Sequence, residues 1–354
     1  MKKSFSLMLM LVIAATLVLS ACGGGAKNDN KGGAGSPAGT EKPVSDESGK
    51  DFKIAMVTDT GGVHDKSFNQ SAWEALEELK ANTSANVKYL ESKGDADMEP
   101  NLNTFINEGY DLTWGIGFLF VDTLAKVAAE KPDAKLAIID NEVNAPNVAS
   151  ITFAEHEGSY LVGVVAGMMT KTNKIGFVGG MEIPVIQKFE AGFRAGVAAV
   201  NEDAVVTANY VGEFGAPDKG KISAATLYND KNDIIFAAAG ASGNGVFNEA
   251  TERKKNGENV WVIGVDKDQS LEFGDEVTLT SMMKGVHAAV YKVSKDLIDG
   301  NWAGGTTQEL GLKDDAVGLP EKNVNVPDDV IAKVEEFKTK IVSGEISVPT
   351  VPTK

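Results

Sequence analysis

From Phe52 onward the chain alternates short apolar runs with amphipathic stretches of helical period, and it does so in two successive series. FKIAMVT, VKYLES, DLTWGIGF, KLAIID and VASITF read as strands, with helical patterns at 72–80, 99–107 and 121–129 between the first four. A second series follows residue 154. KIGFVGG, VVTANYVG, DIIFAAAG and VWVIGVD alternate there with helical patterns at 185–200, 219–228 and 245–254. Runs this uniformly apolar must be covered on both faces, and the intervening helices supply the cover, so each series predicts a parallel sheet between helix layers. Two series predict two Rossmann-like α/β lobes.

The tail is less regular: VTLTSMMK reads as a strand, 287–298 as a helix, AVGLP as a short extended segment and 328–342 as a last helix. We therefore expect one lobe from 51–154 and 278–318 and another from 155–277 and 319–354, joined by a hinge of several crossings. SYLVGVVAGMMT, at 159–170, falls well short of the roughly 20 apolar residues a membrane span needs. It reads as a buried helix.

Before residue 51 the composition changes. Lys2 and Lys3 precede LMLMLVIAATLVL, which closes on Leu19, Ser20, Ala21 and Cys22, the pattern of an export signal (1–21) ending in a lipobox. Cys22 is then expected to carry lipid and hold the chain on the outer face of a membrane. It is the sole cysteine, which excludes an internal disulfide and a thiolate metal site. Residues 22–50, rich in Gly, Ser, Asp and Lys, cannot bury enough apolar surface to offset their ordering entropy and read as a flexible tether.

The formal net charge is −16, and arginine occurs only at Arg194 and Arg253. Such a surface repels a phosphate backbone, which argues against nucleic acid and against a highly phosphorylated ligand.

In parallel α/β sheets, ligands sit beyond the carboxyl ends of the strands, where helix N-termini also point. The polar residues follow the strands here. DTGGVHDKSFNQ places Asp59 after the first strand and Ser67, Phe68 and Asn69 at the next helix; GIGFLFVD supplies Gly117 and Asp122, and IIDNE supplies Asp140. FAAAGASGNG brings Phe236, Gly240 and Gly243, VIGVDKDQ brings Asp266, and Lys284 follows TSMM. Simpler roles compete: helix capping for Ser67, dipole compensation for Asp65 and Asp122, core packing for Phe68 and Phe236, and loop anchoring for Asp140. GASGNG has the wrong glycine order and position for a dinucleotide fingerprint. His64, His156 and His287 lack metal-ligand spacing, and no nucleophile elbow is present, so neither an enzyme nor a cofactor is expected. Carboxylates suited to hydroxyls, rings suited to a planar base and one lysine suited to an oxygen together fit a nucleoside.

DTGGVHDKSFNQSAWEAL, GIGFLFVDTL, ASITFAEHEGSYLVGVVAG, KIGFVGGMEIPVIQKFEAGFRAG, DIIFAAAGASGNGV and VIGVDKDQ, in this order, resemble the signatures of the basic membrane protein family of bacterial lipoproteins, nucleoside-binding subunits of ABC importers. The resemblance runs from about Lys53 to Lys284. It implies a type I periplasmic-binding-protein fold with three crossings, a monomer, and a permease as partner. It further implies a base stacked between Phe68 and Phe236, with Phe214 and Phe153 as alternatives for the second ring, and with Asp59 and Asn69 on the base edge. Asp266 and Lys284 would hold the ribose, with the glycines around Gly243 giving room. A sugar receptor of the same fold and a ligand-responsive surface sensor or adhesin are the competing readings.

Overall fold

The structure is a computed structural model that describes residues 46–353. The expected export signal, Cys22 and the expected tether up to residue 45 lie outside the described residues. Residues 47–50 form a turn, and the Gly49 N–H donates to Thr83 O at 2.8 Å, so residues expected to belong to the tether pack on the first half.

Two six-stranded sheets carry the fold. The first is built from β1 (Lys53–Thr58), β2 (Asn86–Glu91), β3 (Leu112–Ile116), β4 (Leu136–Ile139) and β5 (Val148–Phe153), with α1 (Phe68–Thr83), α2 (Asp95–Asn107) and α3 (Val121–Glu130) between them. After α4 (Glu155–Met169) come β6 (Lys174–Gly179), α5 (Pro184–Ala198), β7 (Val205–Tyr210), α6 (Pro217–Asn229), β8 (Ile234–Ala238), α7 (Ala241–Lys255), β9 (Trp261–Asp266), α8 (Ser270–Phe273) and β10 (Thr278–Lys284). The chain closes with α9 (Val286–Ile298), β11 (Thr306–Leu310), β12 (Val317–Gly318) and α10 (Asp328–Val342). The strand orders are β11-β5-β4-β3-β1-β2 and β12-β10-β9-β8-β6-β7, so both halves share the doubly wound order in which the direction of winding reverses beside the first strand. All pairs are parallel except β10 with β12. β3 and β8 are buried at every position and β1 from Ile54 onward, as sheets covered on both faces require.

The expected placement of 278–318 with the first lobe does not describe its strands. β10 continues the second sheet, paired in parallel with β9, and β12 joins it there; only α9, packed on α1, and β11, paired with β5, belong to the first half. The physical reason is burial. TLTSMMK is buried at six of its seven positions, polar ones included, and β9 and β12 take up its backbone groups on its two edges, whereas the exposed β11 suits the edge of the other sheet. The chain therefore crosses between halves at Ala154, at Gly285 and along 311–316.

The apolar segment 159–170 is the core of α4, buried along most of its length against α5. The two helices touch backbone to backbone: a Cβ on Gly192 would overlap the carbonyl of His156, and one on Gly196 the carbonyl of Tyr160. We predict that Gly196→Ala lowers unfolding stability by about 1–3 kcal/mol through overpacking. Gly94→Ala, where a Cβ meets nothing within 4 Å, should cost no more than about 1 kcal/mol, through replacement of the glycine N-cap of α2. Urea titration of both variants checks this.

Candidate functional site

The carboxyl ends of β1, β3 and β4 face those of β8, β9 and β10 across a crevice, the position in which open α/β sheets bind ligands. Its walls combine Asp59, Asp65, Asn69, Asp140, Asp266 and Lys284 with Phe68, Phe118, Phe189 and Phe214.

The β1–α1 turn builds one wall. Asp59 Oδ1 accepts from the Gly61 N–H at 2.9 Å and from Asn69 Nδ2 at 2.8 Å. Asp65 accepts the backbone N–H groups of Ser67, Asn69 and Gln70 at 2.8–3.1 Å, together with Asn69 Nδ2 at 3.1 Å. Asp65 therefore caps α1. Ser67 makes no capping bond, and its Oγ instead donates to Asp266 Oδ2 at 2.5 Å. Burial raises the Asp59 carboxyl to about 6, against the Asn69 and Gly61 hydrogen bonds, and the Asp140 and Asp266 charges add to the rise. Burial likewise raises Asp65 to about 7, opposed by its three backbone donors.

Across the crevice, Lys284 ends β10 with its side chain 2% exposed. Its Nζ donates to Asp140 Oδ2 at 2.7 Å and lies 3.8 Å from Asp266 Oδ1. Desolvation alone would lower the lysine pKa, but the charges of Asp140, Asp266 and Glu155 outweigh it and the net shift is upward. For the acids, burial dominates: it raises Asp266, and raises Glu155 to about 7, against the pull of Lys284. The ammonium also stands 4.7 Å from the ring centroid of Phe68 and 5.4 Å from that of Phe189. Asp140 and Asp266 occupy equivalent places at the ends of β4 and β9, and both take left-handed backbone angles (φ 71° and 67°), a conformation unusual outside glycine. Asp140 Oδ1 and Asn69 Oδ1 are buried with no hydrogen-bond partner. A ligand with donors would satisfy both.

Contacts from the two halves hold the crevice shut. Gln269 Nε2 donates to Lys66 O at 2.9 Å, Lys267 Nζ bridges Glu74 (2.8 Å) and Glu272 (3.1 Å), and Gln70 Nε2 donates to Glu272 Oε1 at 3.0 Å.

Of the residues singled out in the sequence, Asp59, Phe68, Asn69, Asp140, Asp266 and Lys284 meet at this crevice. Three do not line it. Asp122 is exposed in the first turn of α3, and Gly243 lies inside α7, where Gly240 reaches the crevice instead. Phe236 is fully buried between Phe177 and Phe193, with ring centroids at 5.6 and 5.1 Å. Phe153 is also fully buried and outside the lining, whereas Phe214, the other alternative, is part of it. The Phe214 ring packs so closely on Gly180 that a Cβ there would overlap it. Phe118, Val185, Ile186 and Phe189 are wall residues that the sequence did not mark. Among the described residues, no cluster of His, Cys, Asp and Glu could hold a metal ion, and no helix is long and apolar enough to cross a membrane.

Residues 52–351 match the family described as ABC transporter substrate-binding protein PnrA-like. The chain is 47% identical, over 99% of both sequences, to a CD4+ T-cell-stimulating antigen of Listeria monocytogenes. It is 39% identical to the ABC transporter nucleoside-binding protein BmpA of Lactococcus lactis subsp. cremoris, over 85% of this chain and 90% of that protein. Among solved structures, an ABC transporter solute-binding protein from Aeropyrum pernix superposes with a TM-score of 0.78 at 29% identity, covering 86% of this chain and 94% of that one.

Lys284 is the one buried cation among the described residues, and removing it should expose the cost of its acids. Lys284→Met leaves Asp140 and Asp266 without their ammonium and Glu155 with that of Lys188 alone, 3.3 Å away, and we expect a loss of about 3–5 kcal/mol at pH 8. The folded-state pKa of Asp266 and that of Glu155 lie above their unfolded values, so ionising them opposes folding as pH rises, and the loss should shrink toward pH 5, where they take up protons. Urea midpoints at the two pH values test the sign; an equal loss at both would contradict it.

Proposed function

The chain belongs to the PnrA-like family of ABC transporter substrate-binding proteins, and from that premise we propose that its ligand is a nucleoside, with a purine base, captured in the crevice between the two sheets. The observation that carries this reading is the composition of the crevice wall: one ammonium, already shared among buried carboxylates, beside several aromatic rings. A phosphate would meet Asp59, Asp140 and Asp266 with no free cation to receive it. A neutral ligand with hydroxyls and a flat ring meets the same groups favourably. The nucleoside named for the Lactococcus relative agrees with this chemistry.

In this reading the base lies between Phe68 and Phe214, with Asp59 and Asn69 at its edge, and the ribose hydroxyls face Asp140, Asp266 and Lys284. Each half contributes part of the site, so the ligand favours the shut arrangement by differential contact. The family's role is delivery to an importer, not turnover, and a permease that recognises the shut form completes the cycle. The export signal and Cys22 support a lipid-held position on the outer face of the membrane.

Calorimetry tests the proposal. Guanosine, inosine or adenosine should bind and displace one another, while free ribose and a nucleoside 5′-monophosphate should bind far more weakly. Phe214→Ala should cost about 1–3 kcal/mol of nucleoside affinity through lost stacking, and Asp266→Ala should cost more. Ribose binding as tightly as its nucleosides would favour a sugar receptor instead.

A further inference from the structure

The Asn69 amide can be placed either way round, and its surroundings decide which. Nδ2 stands 2.8 Å from Asp59 Oδ1 and 3.1 Å from Asp65 Oδ2, so both amide hydrogens meet carboxylates. The flipped amide would set its oxygen against the same two carboxylates. Asn69 Oδ1 is thereby left as a buried acceptor without a partner, on a residue that lines the crevice. Asp59 supplies a second acceptor. Its Oδ1 is taken by Gly61 and Asn69, while its Oδ2 lies toward Gly117, which lines the crevice. Asp65 is different: its Oδ1 receives the N–H groups of Ser67 and Gln70, and its Oδ2 receives the N–H and the Nδ2 of Asn69. A carboxylate with four donors has nothing left for a ligand.

Resting on the nucleoside reading above, we propose that Asp65 is the positioning residue that sets base specificity: it locks the Asn69 amide so that the base edge of the crevice offers only acceptors, Asn69 Oδ1 and Asp59 Oδ2. Such an edge selects a base with two neighbouring N–H donors, a cyclic amide N–H beside an exocyclic amine. Guanine has this pair at N1 and N2. Adenine and cytosine set a bare ring nitrogen beside the amine, and hypoxanthine lacks the amine. A base with only one of these donors leaves a buried acceptor unpaired, the mismatch that a polar site rejects most strongly.

Asp59 adds a pH signature. It faces Asp65 on its own loop, Asp140 after β4, and Asp266 after β9, the last two paired with Lys284, and burial raises its carboxyl to about 6. Below that pH its oxygen becomes a donor, and Asp65, which burial raises to about 7, has already taken up a proton and loosened its hold on the Asn69 amide, so both changes shrink the advantage of guanine.

The test is calorimetric titration of the full mature chain and of Asp65→Asn with guanosine, inosine and adenosine, at pH 7.5 and pH 5. At pH 7.5 the wild-type chain should bind guanosine on the order of tenfold to a hundredfold tighter than adenosine, with inosine between. The ratio should narrow at pH 5. In Asp65→Asn at pH 7.5 it should fall to a few-fold, because adenosine loses less than guanosine; a purely structural Asp65 would weaken all three in parallel, and that result overturns the proposal. Should this variant fail to fold, the wild-type ranking and its pH dependence decide, and equal affinities or a ratio unchanged at pH 5 overturn it. Binding without discrimination defeats this inference alone, whereas no binding of any nucleoside defeats it together with the function it rests on.

Discussion

A single ammonium withdrawn from water, with its counter-charges drawn from both halves of the molecule, sets the terms for the rest of this structure. Lys284 comes from the second sheet, Asp140 from the first, and Asp266 from the strand beside Lys284. Separating an ion pair of this depth leaves a charge uncompensated on each side. The pair therefore disciplines the crevice: it favours the shut arrangement, it fills the cation's capacity before a ligand arrives, and it sits one residue before a crossing at Gly285. Asp140 and Asp266, which flank the lysine, both take left-handed backbone angles at their strand ends.

The fold was legible in the sequence to the extent that it rests on hydrophobic periodicity. The strands from β1 to β10 follow from short apolar or alternating runs, buried throughout in the middle of each sheet and half-exposed in the edge strands β2 and β7, and the longer helices between them follow from amphipathic period. β11 was not foreseen because TTQEL is exposed along most of its length and carries neither alternation nor an apolar run; it is a strand only because β5 offers a free edge. The partner of β10 was also beyond reach. An apolar run announces burial, but it does not say which of two similar sheets will bury it.

The site was legible where a polar residue directly follows a strand. Asp59, Asp140, Asp266 and Lys284 are set at strand ends, and strand ends converge in this fold. The aromatic partner was not, and the reason is local. Phe236 is the middle residue of β8 and lies in register with Phe177, so its ring enters the core between sheet and helices, while Phe214 follows β7 in a loop free to reach the crevice. The exchange of roles between Ser67 and Asp65 has a similar origin. A serine before a helix is the usual cap, but Asp266 from the other half claims this hydroxyl, and the aspartate two residues earlier takes the N–H groups.

Three strands of chain cross between the halves side by side, at Ala154, Gly285 and 311–316. One linker would let the halves twist and slide as well as swing. Three bound at separate points cancel most of those freedoms and leave bending about a line through them. A body restricted in this way moves along one angle, so a transporter on the membrane need only read that angle to know whether cargo is aboard.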